Sequence, residues 1–142
     1  MERLYLIAYV GAQAVAIDSD HVESVVDLGE ITPVPKAGES VRGLAALRSR
    51  VVTVLSIRAA LGLEADSENR RAVIVHTDGH HYALMVDEIE DIIPLEMAPL
   101  PNAMPLQPAW RRVAIGIVTR NGEPILTIDP ARLVPESAAM IS

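Results

Sequence analysis

Few residues in this 142-residue sequence have the types and spacing that metal binding or catalysis requires. The histidines are His21, His76, His80 and His81; no HExxH pattern surrounds them, and the chain contains no cysteine. Zinc sites and thiolate nucleophiles need such patterns, because several side chains must converge on one point. We therefore expect His80 and His81 to lie on a solvated hairpin tip, and we expect no bound metal or cofactor.

The densest group of carboxylates lies at residues 87–91. Paired carboxylates could bind a cation or act as a general acid and base. Asp87 and Glu90, however, have the spacing of a capping box at the start of a helix, and Asp20 and Glu23 repeat it. We interpret both pairs as helix caps. Because GxSxG, GxGxxG and Walker patterns are also absent, we expect no enzymatic activity.

The elements that would position these residues occur twice along the chain. Without gaps, residues 5–28 align with residues 72–95 at a shift of 67, and residues 43–56 align with residues 116–129 at a shift of 73. Such self-similarity is typical of a duplicated structural unit. The extra six residues fall in the proline-rich stretch 95–111, which we expect to contain neither helix nor central strand.

Residues 41–63 show what the repeated unit contains. Two apolar runs, 41–47 and 51–55, are separated by a short polar turn and predict a β-hairpin. Ser56 then caps a short helix, which Gly62 ends. We therefore predict an all-β domain in which two halves, residues 4–63 and 71–134, share one core.

Other local patterns add expectations about turns. Asn121 and Gly122 predict a tight hairpin, and Ser49 aligns with Gly122, at a position where we expect a positive φ angle. Residues 21–25 and 87–93 follow the acidic caps with apolar residues at helical spacing. We expect a single helical turn in each of these two segments.

Residues 28–38 are predicted to form an extended surface loop, because they contain Pro33 and Pro35. Ile31 and Val34 lie on this loop although no periodic pattern calls for apolar residues there. Two interpretations stay open. These side chains form a docking surface, or they cover the open end of the first barrel.

The composition is that of a compact globular protein with an acidic surface. Half of the residues are hydrophobic, and the net charge is −7 from 12 basic and 19 acidic residues. This charge repels phosphate backbones and anionic lipids, so we expect neither nucleic-acid binding nor direct membrane insertion. The uncharged stretch 4–17 is shorter than the roughly 18 residues of a membrane span. The absence of cysteine permits a reducing compartment, and we expect a cytoplasmic protein.

Residues 42–63, RGLAALRSRVVTVLSIRAALGL, resemble the GxxNLRGxVxPVxDLR signature of the chemotaxis coupling protein family CheW. ITPVP, VDEIEDII and IGIVTRNGEPILTIDPARLV are also similar to that family, so the resemblance covers almost the whole chain. It implies one CheW-like domain over residues 1–142, built as two intertwined five-stranded SH3-like β-barrels with short helices. It also implies a non-enzymatic adaptor that couples the regulatory domain of a CheA-type histidine kinase to the cytoplasmic tips of chemoreceptors. Outside receptor arrays, we expect a monomer.

The resemblance further implies two interaction surfaces. Arg48 takes the place of the arginine in the family's NLRG motif, near a receptor-binding groove, and Leu47 lies beside it. The residues that fall on the family's kinase-facing surface are Ile31, Val34, Arg42 and Gly43. A bulky side chain at Gly43, which aligns with Gly116, is expected to block kinase binding and leave the fold intact.

The sequence departs from the family signature at several informative positions. Ala46 stands in place of asparagine, Ser49 of glycine, Thr53 of proline and Ser56 of aspartate. Ala46 has no amide that could donate and accept hydrogen bonds beside Arg48. A second function therefore stays open, in which a divergent CheW-like module binds a kinase or another partner in a different signalling pathway, without receptor contact.

Overall fold

The structure is a computed structural model, and it describes residues 2–35, 38, 40–48, 50–63 and 71–135. Ser49, at which we expect a positive φ angle, lies outside the described residues. None of the helices in the described ranges has the length and apolar character needed to cross a membrane.

Strands dominate the described part of the chain, which confirms the predicted all-β class. In chain order the elements are β1 (Arg3–Val10), β2 (Gln13–Asp18), β3 (Val22–Asp27), β4 (Ile31–Thr32), β5 (Val41–Leu47), β6 (Arg50–Ser56), α1 (Ile57–Ala60), β7 (Arg71–Thr77), β8 (His80–Met85), β9 (Glu88–Leu95), α2 (Pro108–Val113), β10 (Ala114–Arg120), β11 (Glu123–Ile128) and α3 (Pro130–Leu133). A 3₁₀ turn, Ser19–His21, precedes β3.

The strands form two sheets, and each sheet draws strands from both halves of the sequence. The five-stranded sheet has the order β10-β11-β2-β1-β9, and the six-stranded sheet has the order β3-β7-β8-β6-β5-β4. In each sheet the halves meet at one parallel pair, β2 with β11 and β6 with β8, and at one antiparallel pair, β1 with β9 and β3 with β7. The remaining strand pairs are antiparallel. The two halves are therefore intertwined.

The internal repeat is visible in the boundaries of the elements. The shift of 67 places β2 on β8, and the shift of 73 places β5 on β10 and α1 on α3. The caps recur as well. Ser56 Oγ accepts from the backbone N–H of Ala59 at 3.0 Å, and Asp129 Oδ1 accepts from Ala131 N–H at the same distance. The strands, hairpins and caps predicted for residues 41–63 are thus present in both halves.

Three clusters of buried side chains hold the sheets together. Alternation along each strand sends one set of side chains to the concave face of its own sheet and the other set to the space between the sheets. The core between the sheets includes Leu6, Ile17, Leu55, Val73, Leu84 and Ile128. The six-stranded sheet encloses Val52, Val54, Ile74 and Ala83, and the five-stranded sheet encloses Tyr5, Ile7, Val118 and Ile125.

Two sequence-based expectations about helices are wrong. Residues 21–25 and 87–93 do not form helical turns, because β3 and β9 occupy these positions as the outermost strands of the two sheets. Hydrogen bonding to β7 and to β1 outweighs their helical spacing. The proline-rich stretch does contain a helix, α2, since Pro108 occupies its first turn, where the missing N–H has no intrahelical partner to lose.

Thr127 provides a stability test of the duplicated core. Its side chain is fully buried, and its hydroxyl has no hydrogen-bond partner among the described residues. The repeat places Val54, also fully buried, at the same position in the first half. We expect Thr127→Val to raise the free energy of unfolding by about 1 kcal/mol, because it removes an unpaired buried hydroxyl. Val54→Thr should lower it by about 1–3 kcal/mol. Urea unfolding of both variants measures the changes, and a Thr127→Val protein less stable than wild type would contradict the prediction.

Candidate functional site

The β5–β6 hairpin places Leu47 and Arg48 at its tip. Leu47 is half-buried and packs against the core enclosed by the six-stranded sheet, whereas Arg48 is exposed. The backbone of Arg48 has a φ angle of 57°, and its repeat counterpart Asn121 has a φ angle of 51°. Asparagine adopts this left-handed conformation readily, but arginine does so rarely. The two neighbouring residues therefore differ in role. Leu47 anchors the hairpin to the core, whereas the side chain of Arg48 is exposed to solvent.

A groove of about 460 Å³ runs between this hairpin tip and β3, the edge strand of the same sheet. We call it the hairpin groove; it is lined by Glu23, Ser24, Val25, Val26, Leu47, Arg48 and Arg50. Val25 leaves 39% of its surface exposed, so the groove combines apolar surface with charge. Within the described residues no group of three potential ligands is placed to bind a metal ion. The groove is suited to binding a partner by shape and charge.

A charged cluster lies at one end of the hairpin groove, and we call its four members, Glu23, Arg50, His76 and His81, the histidine cluster. The guanidinium of Arg50 donates to Oε1 of Glu23, and Nε2 of His81 lies 2.8 Å from Oε2 of the same carboxylate. Nε2 also lies 3.1 Å from Nη1 of Arg50, and the rings of His76 and His81 are 4.8 Å apart. The hydrogen bond from Arg50 lowers the pKa of Glu23, and the charges of Arg50 and the two histidines act in the same direction.

The position of His81 corrects the expectation of a solvated tip. His81 lies in β8, directly opposite His76 on β7, and only 28% of its side chain is exposed. It shares a face of β8 with Ala83, so it covers the end of the core that the six-stranded sheet encloses. His80 points to the other face, with its ring 6.4 Å from that of Tyr82.

The five-stranded sheet carries a matching arrangement, which we call the tyrosine cluster: Tyr9, Glu90 and Arg120. Arg120 contacts the carboxylate of Glu90 and donates to the hydroxyl of Tyr9 at 3.2 Å. The hydrogen bond to Glu90, followed by that to Tyr9, raises the pKa of Arg120. Glu90 is the repeat counterpart of Glu23, and Tyr9 is that of His76. Each cluster thus joins the edge strand that carries its glutamate to a hairpin strand of the same sheet.

The carboxylates interpreted as helix caps have other partners, so the capping-box interpretation is wrong. Asp87 accepts hydrogen bonds from Arg58 at 2.6 and 3.1 Å and from the backbone N–H of Gly11. Asp20 instead binds Arg3 at 2.7 Å, and it is Asp18 that caps the 3₁₀ turn. The repeated acidic residues serve ion pairs between elements. The predicted structural role of these carboxylates is correct, but each of them binds an arginine side chain instead of capping a helix.

The four residues implied for kinase binding lie around the β4–β5 pair. Ile31 and Val34 are half-buried and pack against two different cores. Arg42 is exposed, and Gly43 is buried. Ile31 pairs with Ala45 and Thr32 with Leu44, so Gly43 and Arg42 lie further along β5, beside the segment that follows β4 and carries Val34. The packing of Ile31 and Val34 is what the covering interpretation expects, whereas the side chain of Arg42 is exposed.

Gly43 has a structural role that the sequence did not reveal. Its φ angle is 142°, and a Cβ atom added to it would lie 2.1 Å from the carbonyl oxygen of Thr32. The clash is with backbone, which cannot move aside without breaking the β4–β5 pair. The expectation that a bulky side chain at Gly43 leaves the fold intact is therefore wrong.

With this geometry in hand, comparison with known proteins identifies the family. The family model of the CheW-like domain matches residues 4–138. This chain belongs to the CheW-like domain family. The chemotaxis protein CheW of Thermotoga maritima is 27% identical over 128 residues, which cover 89% of this chain and 84% of that protein.

The crystal structure of the scaffolding protein TtCheW from Thermoanaerobacter tengcongensis is similar in fold. It matches with a TM-score of 0.79 at 22% identity, over 91% of this chain and 90% of that chain. This similarity confirms the predicted CheW-like fold with its two intertwined β units.

The family resemblance points to Leu47 and Arg48, which line the hairpin groove of this CheW-like chain, but the local patterns do not predict its other side. They place Glu23 and Val25 in a helical turn and Arg50 in a plain turn. The repeat contained a usable signal, because it aligned Glu23 with Glu90. That signal was read as a local cap instead of an ion pair across the sheet.

Gly43→Ala tests the close approach of β4 to β5. We expect it to lower the free energy of unfolding by about 3 kcal/mol or more, because the added methyl meets backbone and the φ angle is unfavourable for alanine. Gly29→Ala is the control, since a Cβ there meets no atom within 4 Å. Guanidinium unfolding measures both, and equal stabilities would contradict the inferred clash.

Glu23→Gln tests the ion pair in the histidine cluster. Since Arg50 lowers the pKa of Glu23 in the folded state, the carboxylate stabilises the fold above its ordinary pKa of 4.5, and this contribution is lost as the pH falls through the folded value. We expect the variant to be less stable than wild type at pH 7 and to approach it below pH 4.5. Glu30→Gln, at an exposed position on the loop before β4, is the control. Thermal unfolding across pH decides, and a stability gap that widens on acidification would reverse the assigned sign.

Proposed function

We propose that this protein is a non-enzymatic adaptor of bacterial chemotaxis. It couples the regulatory domain of a CheA-type histidine kinase to the cytoplasmic tips of chemoreceptors, acts in the cytoplasm, and is a monomer outside receptor arrays. Membership of the CheW-like family over residues 4–138 supports this proposal. The similar proteins are described as a chemotaxis protein and as a scaffolding protein, which supports it further.

The single observation that carries the receptor assignment is the conformation of Arg48. An arginine with a φ angle of 57° costs stability that asparagine or glycine would not cost at the same turn position. Asn121 shows that the second half uses the favourable residue. Among the described residues the exposed Arg48 side chain has no hydrogen bond or ion pair that would offset this cost, and we assign it to binding a receptor tip in the hairpin groove. Leu47 positions the turn by packing against the core that the six-stranded sheet encloses.

The kinase-facing surface is proposed to centre on Arg42. Its side chain is exposed on β5, whereas Ile31, Val34 and Gly43 are partly or fully buried beneath the same region. We assign the three to holding β4 and the following segment against β5. The kinase regulatory domain then contacts Arg42 and the exposed backbone of β4.

A second candidate function is a CheW-like module that binds a kinase or another partner in a different pathway, without receptors. Ala46 favours this alternative, because it is exposed on the hairpin and gives no hydrogen-bonding side chain next to Arg48. The two candidates differ in one measurable property, which is whether the hairpin groove binds a receptor tip.

Arg48→Asn separates recognition from folding. Asparagine relieves the unfavourable backbone conformation, so we expect the free energy of unfolding to rise by about 0.5–1 kcal/mol. Binding to the cytoplasmic fragment of a chemoreceptor from the source organism should weaken about tenfold or more, because a charged hydrogen bond contributes roughly 1.5–3 kcal/mol. Binding to the kinase regulatory domain should be unchanged.

Arg42→Asn is the matched variant on the other surface, and we expect it to weaken kinase binding and to spare receptor binding. Calorimetry of both variants against both partners provides the comparison. Receptor binding that is indifferent to Arg48→Asn, or absent in wild type, would favour the module that acts without receptors. Unchanged kinase binding in a folded Arg42→Asn protein would refute the kinase surface.

A further inference from the structure

One ring nitrogen in the histidine cluster lies near both a hydrogen-bond acceptor and a hydrogen-bond donor. Nε2 of His81 lies 2.8 Å from Oε2 of Glu23, which accepts hydrogen bonds, and 3.1 Å from Nη1 of Arg50, which only donates them. In the neutral ring that carries its proton on Nδ1, Nε2 accepts from Arg50 and is repelled by the carboxylate oxygen of Glu23. With a proton, Nε2 donates to Glu23 and opposes the N–H of Arg50. The proton at this atom therefore decides which neighbour His81 binds.

We propose that proton uptake by His81 releases Arg50 from the histidine cluster, so that it becomes a second cationic contact in the hairpin groove. With a neutral ring that accepts at Nε2, Arg50 is held at two points, by the carboxylate of Glu23 and by Nε2. Protonation removes the second point and places a positive charge 3.1 Å from the guanidinium, which favours separation of the two groups. Glu23 keeps a charged partner throughout, because His81 then donates to it.

The released guanidinium does not have far to move, because Arg50 already lines the hairpin groove together with Arg48. In an otherwise acidic protein, a groove with two arginines is suited to a segment that carries carboxylates. Acidification therefore strengthens binding of such a segment. This regulation rests on the proposed function, since it acts on the groove that we assign to receptor tips.

Several charged and titratable groups surround His81. The ring of His76 lies 4.8 Å away, and a second positive charge there would be repelled by the first. Imidazole groups generally change charge between pH 5 and 8, whereas carboxylates and guanidinium groups do not. The charged and titratable groups around His81 are Glu23 on β3, Arg50 on β6, His76 on β7, Arg48 at the β5–β6 tip, and Asp78 and His80 at the start of its own strand.

The tyrosine cluster provides an internal reference that lacks a switch. Arg120 is held by Glu90, the repeat counterpart of Glu23, and by the hydroxyl of Tyr9, the counterpart of His76. A tyrosine hydroxyl keeps its proton between pH 5 and 8 and can both donate and accept. The repeat counterpart of His81 is Ala14, which has no group to titrate. The two clusters therefore differ in their response to pH although each contains an arginine–glutamate ion pair.

A double-mutant cycle on the whole protein tests the switch without any partner. Thermal unfolding of wild type, Glu23→Gln, Arg50→Gln and the double variant measures the coupling between Glu23 and Arg50 at pH 8 and at pH 5.5. We expect the coupling, expressed as a shift in Tm, to fall by about half or more at the lower pH, because Arg50 has left. The same cycle on Glu90 and Arg120 should give equal couplings at both pH values.

Two single variants assign the effect to one ring. In a His81→Gln background the Glu23–Arg50 coupling should not change with pH, whereas in a His80→Gln background it should still fall. A coupling that is independent of pH in wild type overturns the proposal. So does an equal fall in the Glu90–Arg120 cycle, or a fall that persists in His81→Gln.

Binding provides the second measurement. The cytoplasmic fragment of a chemoreceptor should bind wild type about two- to fivefold more tightly at pH 5.5 than at pH 8, relative to His81→Gln, because one exposed ion pair is gained. Equal pH responses of the two proteins, or weaker binding by wild type at pH 5.5, would overturn the assignment of Arg50 to the groove. If neither protein binds the fragment at any pH, the receptor function fails, and the cycle alone decides whether the proton switch exists.

Discussion

Pairing between strands from the two halves of the sequence holds this CheW-family chain together, and two of the four such pairs are parallel. β2 pairs with β11 in one sheet, and β6 pairs with β8 in the other. Each pair joins a strand from the first half of the sequence to a strand from the second half. Neither half can complete a sheet alone, because its edge would expose unpaired backbone groups and one side of a hydrophobic core. The buried residues between the sheets come from both halves for the same reason.

The two halves share the same arrangement of strands, but they differ in the side chains that form the histidine cluster and the tyrosine cluster. An arginine from a hairpin strand binds a glutamate on an edge strand in both sheets, through Arg50 and Glu23 in one and through Arg120 and Glu90 in the other. A tyrosine completes one cluster, and two histidines complete the other. The hairpin groove lies beside the histidine cluster, where the exposed Arg48 also lies. The two copies thus differ in the side chains that complete these clusters.

Sequence reasoning worked best where the signal is local or repeated. The caps at Ser56 and Asp129 and the turn at Asn121 all occur as expected, because each depends on a few adjacent residues. It failed for β3 and β9, whose helical spacing was overruled by pairing with strands distant in sequence. It also failed for Gly43, because the carbonyl oxygen of Thr32 that excludes a side chain there reaches it only through the β4–β5 pair.

The sequence alone determined the all-β class, the duplication, the family resemblance and the absence of a recognisable catalytic motif, because periodicity, spacing and composition carry that information directly. Only the tertiary structure decided which strands pair across the halves and which charges meet. Arg50 lies 27 residues after Glu23, and His81 lies 31 residues after Arg50, yet both side chains contact the carboxylate of Glu23. Such contacts arise from the order of strands in a sheet, and no local pattern encodes that order.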